Sequence, residues 1–384
     1  MNIIIFIIFI FIPYDESENY LLLFNSNKEI MSSNIPESIR LKLDRKLHNQ
    51  TNHPIEILKR YIYEYFQNNF KEKFDIFDDL SPIVTLEDNF DKLLIPTDHP
   101  SRSKSDTYYV DDKHVLRTHT SAHQNELLSK GYRNFLVTGD VYRKDEIDSR
   151  HYPIFHQMEG VMILNNKVPE QYLSEVLSGL ITHLFPQCQY RFNPDYFPFT
   201  LPSYEVEVNY KGNWIEVLGC GVIQPKILEN NGLKDCKGIA WGLGLDRLCM
   251  IFCDIPDIRY LWSKQEKFLN QYADGKIKKF QAYSQVSSQT RDISFYLSLD
   301  NDNWKLENRF FELLRETADD LIGEVKLIDC FYNKKSNKHS RTYRITYSSN
   351  DPELKDPAEM TKLATLTHSK IRECISKENI VELR

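Results

Sequence analysis

The stretch GDVYRKDEIDSRHYPIFHQMEG, residues 139–160, decides how this chain is read. It lies where apolar residues begin to recur every second position. Asn134 to Lys144 and Phe155 to Leu164 read as strands joined by a polar loop. Successive side chains on a strand point to opposite faces. Val141 and Arg143 therefore share one face of the first strand, and Phe155, Gln157 and Glu159 share one face of the second. Antiparallel pairing brings those faces together. It sets a guanidinium near a carboxamide and a carboxylate on a sheet surface. Arginine suits phosphate because its fork donates two parallel hydrogen bonds. Taken alone, a surface ion pair between Arg143 and Glu159 explains the pattern as well.

Working outward, the periodicity predicts a helix over Pro169–Leu184. A hairpin follows, Tyr204–Tyr210 and Trp214–Val222 about a Lys211-Gly212-Asn213 turn. Next come a strand over Lys237–Trp241 and a helix over Leu243–Phe252. On the N-terminal side a helix begins at Pro54, with Asn52 or His53 suited to start it. Phe74–Arg117 reads as loop with short strands at Pro82–Thr85 and Tyr108–Val110. Ser121–Gly131 reads as a short helix closed by glycine. The fold class is α+β: a mixed, mainly antiparallel sheet flanked by helices, without the β-α alternation of a doubly wound fold.

Residues 271–284 turn polar and basic and read as a linker. Beyond it a strand (Thr290–Leu299) and a helix (Leu306–Ile322) lead to a hairpin, Lys326–Tyr332 and Arg341–Tyr347. A helix (Pro357–Ser376) and a last strand (Ile380–Leu383) complete the order β-α-β-β-α-β, a ferredoxin-like unit. The expected organisation is a leader or atypical extension over 1–37, a main α+β domain over 38–270, the linker over 271–284 and the ferredoxin-like domain over 285–384.

The 384 residues are 41% hydrophobic and 27% charged, a globular composition, and the net charge of -7 argues against nucleic-acid binding by bulk charge. The seven cysteines form no CxxC pair and no zinc spacing, and read as free thiols. Met1–Ile12 is an uncharged apolar run, too short for a membrane-spanning helix. It lacks the basic start of a secretory signal and the Arg-rich pattern of a mitochondrial presequence. Met31 as the true start, or an unusual leader, are both consistent with it. No membrane association is expected.

Three further constellations bear on chemistry. Gly238-Ile-Ala-Trp-Gly-Leu-Gly-Leu-Asp-Arg247 carries glycines from a strand into a helix, with an arginine in the helix's first turn. Helix N-termini attract phosphate. The pattern is neither a dinucleotide fingerprint nor a P-loop, and glycines in such a turn also serve plain packing. Glu216-Val-Leu-Gly-Cys-Gly221 sets a carboxylate on a strand, able to hold Mg²⁺ on ATP phosphates or to make an edge ion pair. Phe197-Pro198-Phe199 offers two rings to one wall of a pocket, or fills core.

In this order along the chain, these pieces resemble the class II aminoacyl-tRNA synthetases. GDVYRKDEIDSRHYPIFHQMEG is similar to the family's motif 2 and GIAWGLGLDRL to its motif 3. LLIPTDHPSRSKSDTYYV, RTHTSAHQNELL, YFPFTLPSYEVEV, WIEVLGCGV and DIPDIRYLW resemble the phenylalanine-specific branch. QTRDISFYL and LIDCFYNKKSNKHSRTYRITY resemble the anticodon-binding domain fused to the single-chain mitochondrial type. The resemblance runs from about Ser38 to the C-terminus.

The resemblance implies ATP, phenylalanine and tRNA(Phe) as partners, Mg²⁺ as the ion carried with ATP, and a monomer in the mitochondrial matrix. It implies that Arg143 holds the α-phosphate and Arg247 the γ-phosphate, with Glu159 completing the catalytic set. Glu159 and Glu216 would contact adenine or the metal-bound phosphates, Glu216 being the metal's side-chain contact. Trp241 would lie near adenine. Ser121, His123, Gln157 and Glu159 would orient the amino acid's polar ends, with Ala122, Gln124 and Met158 alongside, and Phe197 and Phe199 would touch its ring. Arg150, His151 and Tyr152 would line the motif 2 loop near ATP and the tRNA end. Lys334, Lys335, Lys338, Arg341 and Arg344 would grip the anticodon stem. Two rivals are weighed: a catalytically dead RNA-binding relative, against which intact Arg143, Glu159, Glu216 and Arg247 argue, and a catalytic subunit that needs a partner chain, against which the fused anticodon domain argues.

Overall fold

The computed structural model describes residues 33–43, 45–164, 167–283, 286–297, 303–334, 338–378 and 381–384. The expected leader lies outside them as far as residue 32. Residues 33–37, assigned to that leader from sequence, are packed instead. The Asn34 carboxamide bonds the backbone of Lys104, Thr107 and Tyr109, and Ile35 is buried. None of the described helices is long and apolar enough to cross a membrane.

The strands are β1 (Asp75–Phe77), β2 (Ile83–Thr85), β3 (His114–Leu116), β4 (Asn134–Tyr142), β5 (Ile154–Leu164), β6 (Tyr190–Asp195), β7 (Thr200–Tyr210), β8 (Asn213–Ile223) and β9 (Lys237–Gly244). Seven of them form one sheet in the order β1-β4-β5-β9-β8-β7-β6. Only β1 against β4 is parallel. β1, β3 and β6 escaped the sequence reading. β1 is only three residues long, and β6 carries Pro194, which is tolerated because this strand lies at the sheet edge. Tyr108–Val110 is not a strand: Tyr109 makes a single bridge to Val115.

Helices α1 (Pro54–Asn69), α2 (Gln124–Ser129), α3 (Pro169–Leu184) and α4 (Leu245–Cys253) follow the expected periods. His53 caps α1 by accepting from the Ile55 N–H, as its place before Pro54 predicts. Ile62, Phe66, Leu177, Leu180 and Leu248 from α1, α3 and α4 share one core with Met158, Met162, Trp241 and Leu243 of the sheet. That core covers one sheet face only. The other face carries the predicted site.

The described part of the expected linker, residues 271–283, is strapped down. Tyr272 is buried, and the Phe280 N–H donates to the Cys253 carbonyl at 2.6 Å. Beyond it lie β10 (Gln289–Leu297), α5 (Asn303–Ala318), β11 (Ile322–Asn333), β12 (Lys338–Tyr347), α6 (Pro357–Glu378) and β13 (Glu382–Leu383). The sheet order β11-β12-β10-β13, all antiparallel, is that of a ferredoxin-like unit. This unit seats itself on the β4–β5 loop. Ile147 of that loop is buried in its core and accepts from the Val325 N–H at 2.9 Å. Arg259 reaches the Asp320 carbonyl at 2.6 Å and the Ser348 hydroxyl at 2.8 Å.

Candidate active site

Cross-strand register builds the site. Glu159 of β5 pairs with Gly242 of β9, and Gly242 pairs with Gly219 of β8. One strand further, Gly219 pairs with Glu205 of β7. Alternation places all four on the sheet face opposite the helix core. The two glycines leave a trough between the flanking side chains. A Cβ on Gly242 or Gly244 would meet nothing within 4 Å, whereas one on Gly219 would strike the Phe197 ring at 2.9 Å. The trough is thus floored by glycine, bounded by Glu159 on one side and by Phe197 on the other.

Phe197 and Phe199 lie in the turn between β6 and β7, with ring centroids 5.9 Å apart and planes inclined by 15°. Both are half-buried; Phe197 lies over Gly219 at the trough, and Phe199 packs between it and the second apolar cluster. On the far side of Phe199 stands His119, 6.1 Å away between centroids. Its ring nitrogens are shut from water and make no hydrogen bond of sound geometry. Burial, then the charge of Arg143, pushes its pKa down to about 3, so the imidazole is neutral.

Glu159 is 3% exposed and accepts from the Ser121 hydroxyl, from the Gln124 carboxamide and, at 3.5 Å, from Thr120. None of these donors is charged. Burial pushes the carboxyl up to about 7 against the pull of these hydrogen bonds. A buried carboxylate held by neutral donors is matched by a ligand that brings its own cation. Ser121 comes from the turn Thr120–His123 and Gln124 from the start of α2, and both reach Glu159 at the middle of β5.

Arg143 follows β4 and lies on the same face. Its Nε donates to the Thr118 carbonyl at 2.8 Å, and its guanidinium rests 5.2 Å from the centre of the Phe155 ring. Gln157, two residues on from Phe155, shares this face and is half-buried. Arg247 stands in the first turn of α4, its guanidinium 3.4 Å from Glu216. A bulge makes that contact: Val217 is the extra residue on β8, and both it and Leu218 turn into the core, which re-aims Glu216 to the site face. Desolvation in the cleft lowers the pKa of Arg143, and the charges of Asp145 and then Glu216 oppose that fall. Two arginines therefore flank one end of the trough, with Glu216 between their fields. Glu205 joins this acidic end, its carboxyl raised by desolvation first and then by Glu216 and Asp195.

Several predicted residues fall elsewhere. Met158 and Trp241 occupy odd positions relative to Glu159 and Gly242, so they point into the helix core; Trp241 is 1% exposed and stacks on Phe66 at 5.3 Å. Neither can touch a ligand on the other face. Ala122 is buried in a second core cluster. His123 is bound to Arg117 at 2.9 Å and Glu126 at 3.4 Å, away from the trough. The sequence reading names His123 and does not consider His119; a histidine two residues before Ser121 is the available signal. Tyr152 is buried on Trp262 and donates to Asp320 at 2.7 Å, so it holds the C-terminal unit rather than a nucleotide. His151 is tied to Asp148 at 2.9 Å, which raises its pKa, and Arg150 is exposed.

The expected anticodon grip is not one basic patch. Lys338 pairs with Glu382, Arg341 with Glu307 at 3.0 Å, and Arg344 with Asp292 at 2.8 Å. Arg341 aligns with Tyr343 on the helix-covered face of β12, while Lys338 and Arg344 take the other face. Lys334 is exposed, and Lys335 lies outside the described residues.

Residues 38–272 match the family model described as "tRNA synthetases class II core domain (F)". The chain is 48% identical over 368 residues to the phenylalanine–tRNA ligase, chloroplastic/mitochondrial, of Arabidopsis thaliana, covering 92% of this chain and 83% of that one. It is 41% identical to the mitochondrial phenylalanine–tRNA ligase of Mus musculus, covering 82% and 79%. With the mitochondrial phenylalanine–tRNA ligase of Saccharomyces cerevisiae the identity is 36%, covering 92% of each. The glycine-floored trough between Glu159 and Phe197, flanked by Arg143 and Arg247, thus stands on a class II core, and the chain belongs to the mitochondrial phenylalanine–tRNA ligase family of class II tRNA synthetases.

Proposed function

We propose that this chain activates phenylalanine with ATP to phenylalanyl-adenylate and transfers it to the terminal adenosine of tRNA(Phe), in the mitochondrial matrix. One observation carries the choice of amino acid. Glu159 and Phe197 are separated by the two glycine positions of the trough, about 10 Å of backbone at the usual strand spacing. An ammonium group on Glu159 then leaves an aromatic side chain beside Phe197 and Phe199, where ring edges and faces pack favourably.

In the first step the phenylalanine carboxylate attacks the α-phosphorus of ATP and pyrophosphate leaves. The nucleophile is already ionised, so no general base is required. Catalysis rests on positioning and on charge neutralisation. Arg143 is our choice for the α-phosphate, because its Nε is fixed to Thr118 and its terminal nitrogens are left for a ligand. Arg247 is our choice for the γ-phosphate, at the start of α4. Glu159, with Ser121 and Gln124, takes the ammonium; Gln157 and His119 border the carboxylate and ring. Glu216 and Glu205 supply oxygen donors of the kind Mg²⁺ takes, beside the two arginines. When bound, the ion neutralises phosphate charge.

Residues 38–270 form the proposed catalytic domain and residues 285–384 the proposed anticodon-binding domain. The strand order of the second unit and its resemblance support that reading. For Lys338, Arg341 and Arg344 to grip phosphate, their present acidic partners must yield. One chain carrying both units is expected to act as a monomer near 45.5 kDa by gel filtration. The deciding test is phenylalanine-dependent ATP–pyrophosphate exchange on the purified chain, with Arg143→Ala as control. No exchange above that control overturns the assignment.

A further inference from the structure

We propose that Asp246 is a positioning residue for the phosphate-binding arginines, its buried carboxylate pinning α4 onto β5 so that Arg247 is fixed relative to Arg143. The inference rests on the roles assigned above to those arginines.

Asp246 is 2% exposed, in the first turn of α4. Its described hydrogen bonds all come from His156 of β5. The His156 backbone N–H donates to Oδ2, and the ring Nδ1 lies 3.2 Å from Oδ2 and 3.3 Å from Oδ1. The β5–β9 ladder ends at Gln157 paired with Gly244, where the chain leaves the strand for the helix. His156 is the next residue along β5. The carboxylate therefore takes over from the ladder as acceptor for the next strand N–H. It is the tie at that junction, since Gly244 supplies no side-chain cap to α4.

Chain adjacency gives the tie its reach. His156 points into the core, so its neighbours Phe155 and Gln157 point to the site, and Phe155 carries the Arg143 guanidinium. The residue after Asp246 is Arg247. One carboxylate thus joins the backbone beside Phe155 to the backbone beside Arg247. Arg247 itself is about half exposed and held by one 3.4 Å contact, so its place depends on where α4 begins. The anchor is rigid: the His156 ring is stacked on Trp262 at 5.6 Å and lies against His48 at 5.3 Å. Core packing alone does not call for a carboxylate here, because well-packed apolar residues replace buried polar pairs with little or no loss of stability.

The test is a double-mutant cycle in pyrophosphate exchange on the full chain, with melting temperature measured on each variant. Asp246→Ala is expected to raise the ATP KM or lower kcat on the order of tenfold, with phenylalanine KM within about twofold. Asp246→Asn, whose amide oxygen still accepts from the His156 N–H, is expected to recover most of that loss. Arg247→Ala is expected to cost clearly less in the Asp246→Ala background than alone, because a displaced arginine has little left to lose. Should Asp246→Ala not fold, His156→Phe keeps the ring on Trp262, removes the Nδ1 bond and enters the same cycle. Losses that multiply, or that fall on phenylalanine and ATP alike in step with melting temperature, overturn the proposal. Absence of exchange in the unsubstituted chain would instead strike the functional reading.

Discussion

Phe197 lies over Gly219 so closely that a Cβ added to the glycine would come within 2.9 Å of the ring. The ring is half-buried and packs on Phe199, so it has room to tilt but not without leaving its partner. Gly219→Ala is therefore expected to push Phe197 into or away from the trough. Overpacking of this kind costs about 1–3 kcal/mol where it cannot relax. The expected outcome is a phenylalanine KM raised about tenfold or more, with ATP KM nearly unchanged, read by pyrophosphate exchange. An unchanged phenylalanine KM would remove Phe197 from the pocket.

Gly242 gives the complementary case. Its added Cβ meets no protein atom within 4 Å, and its strand lies mid-sheet. Gly242→Ala is expected to leave the melting temperature the same or slightly higher, since alanine restricts the unfolded chain. The same methyl projects into the space where the amino acid is proposed to lie. Phenylalanine-dependent exchange is expected to fall strongly while the fold is kept. Full activity would mean the trough is not the pocket.

The hairpin at 134–164, the glycine-led entry to α4 and the strand order of the C-terminal unit were legible because period, turn chemistry and motif order act locally. Facing was less so. Alternation put Met158 opposite Glu159 as soon as β5 was recognised, yet which face is core depends on where α1, α3 and α4 pack. The β8 bulge at Val217 shifts Glu216 to the site face, and nothing local announces it. His119 and His123 are four residues apart across a short 3₁₀ turn, and only the tertiary partners Arg117 and Glu126 remove His123. The hairpin cations looked like a patch because their partners Asp292, Glu307 and Glu382 lie far away in sequence.

Trp241 tests that facing directly. It is sealed between Phe66 and the bare backbone of Gly160, where a Cβ would strike its ring at 2.1 Å. Trp241→Ala is expected to destabilise the fold by about 3–5 kcal/mol, and Trp241→Phe by less. In Trp241→Phe the ATP KM is expected to stay within about twofold of the parent. A large selective rise in ATP KM would put the ring back beside adenine.

Arg143 is fixed through Nε to Thr118 and over Phe155, which leaves its terminal nitrogens as a planar fork. Arg143→Ala is expected to slow exchange on the order of 10²–10³-fold, as for other groups that stabilise developing charge. Arg143→Lys is expected to recover little, because an ammonium has no Nε for Thr118 and no bidentate fork. The loss should fall on kcat more than on ATP binding, since the charge spreads in the transition state. Pre-steady-state measurement of adenylate formation checks it.

Glu159 couples the pocket to pH. Its carboxyl is pushed from 4.5 to about 7 by burial, with no cation among the causes. Between these values the folded chain holds a proton there that the unfolded chain has released. Its contribution to stability is therefore full at low pH and is lost as pH rises through about 7. Buried His48, His53 and His119, all pushed down to about 3, act with the opposite sign below pH 6.5. The difference between the parent chain and Glu159→Gln isolates the carboxyl. Binding runs against its stability term, because the ammonium of phenylalanine needs the ionised form. Phenylalanine affinity in the parent is expected to weaken about tenfold between pH 8 and pH 6 and to stay nearly flat in Glu159→Gln. Calorimetric titration across that range, with bound protons counted from the buffer dependence, is the check. Release of about three-quarters of a proton on binding near pH 6.5 in the parent, absent in Glu159→Gln, is the expected signature; equal proton release in both would place the ammonium elsewhere.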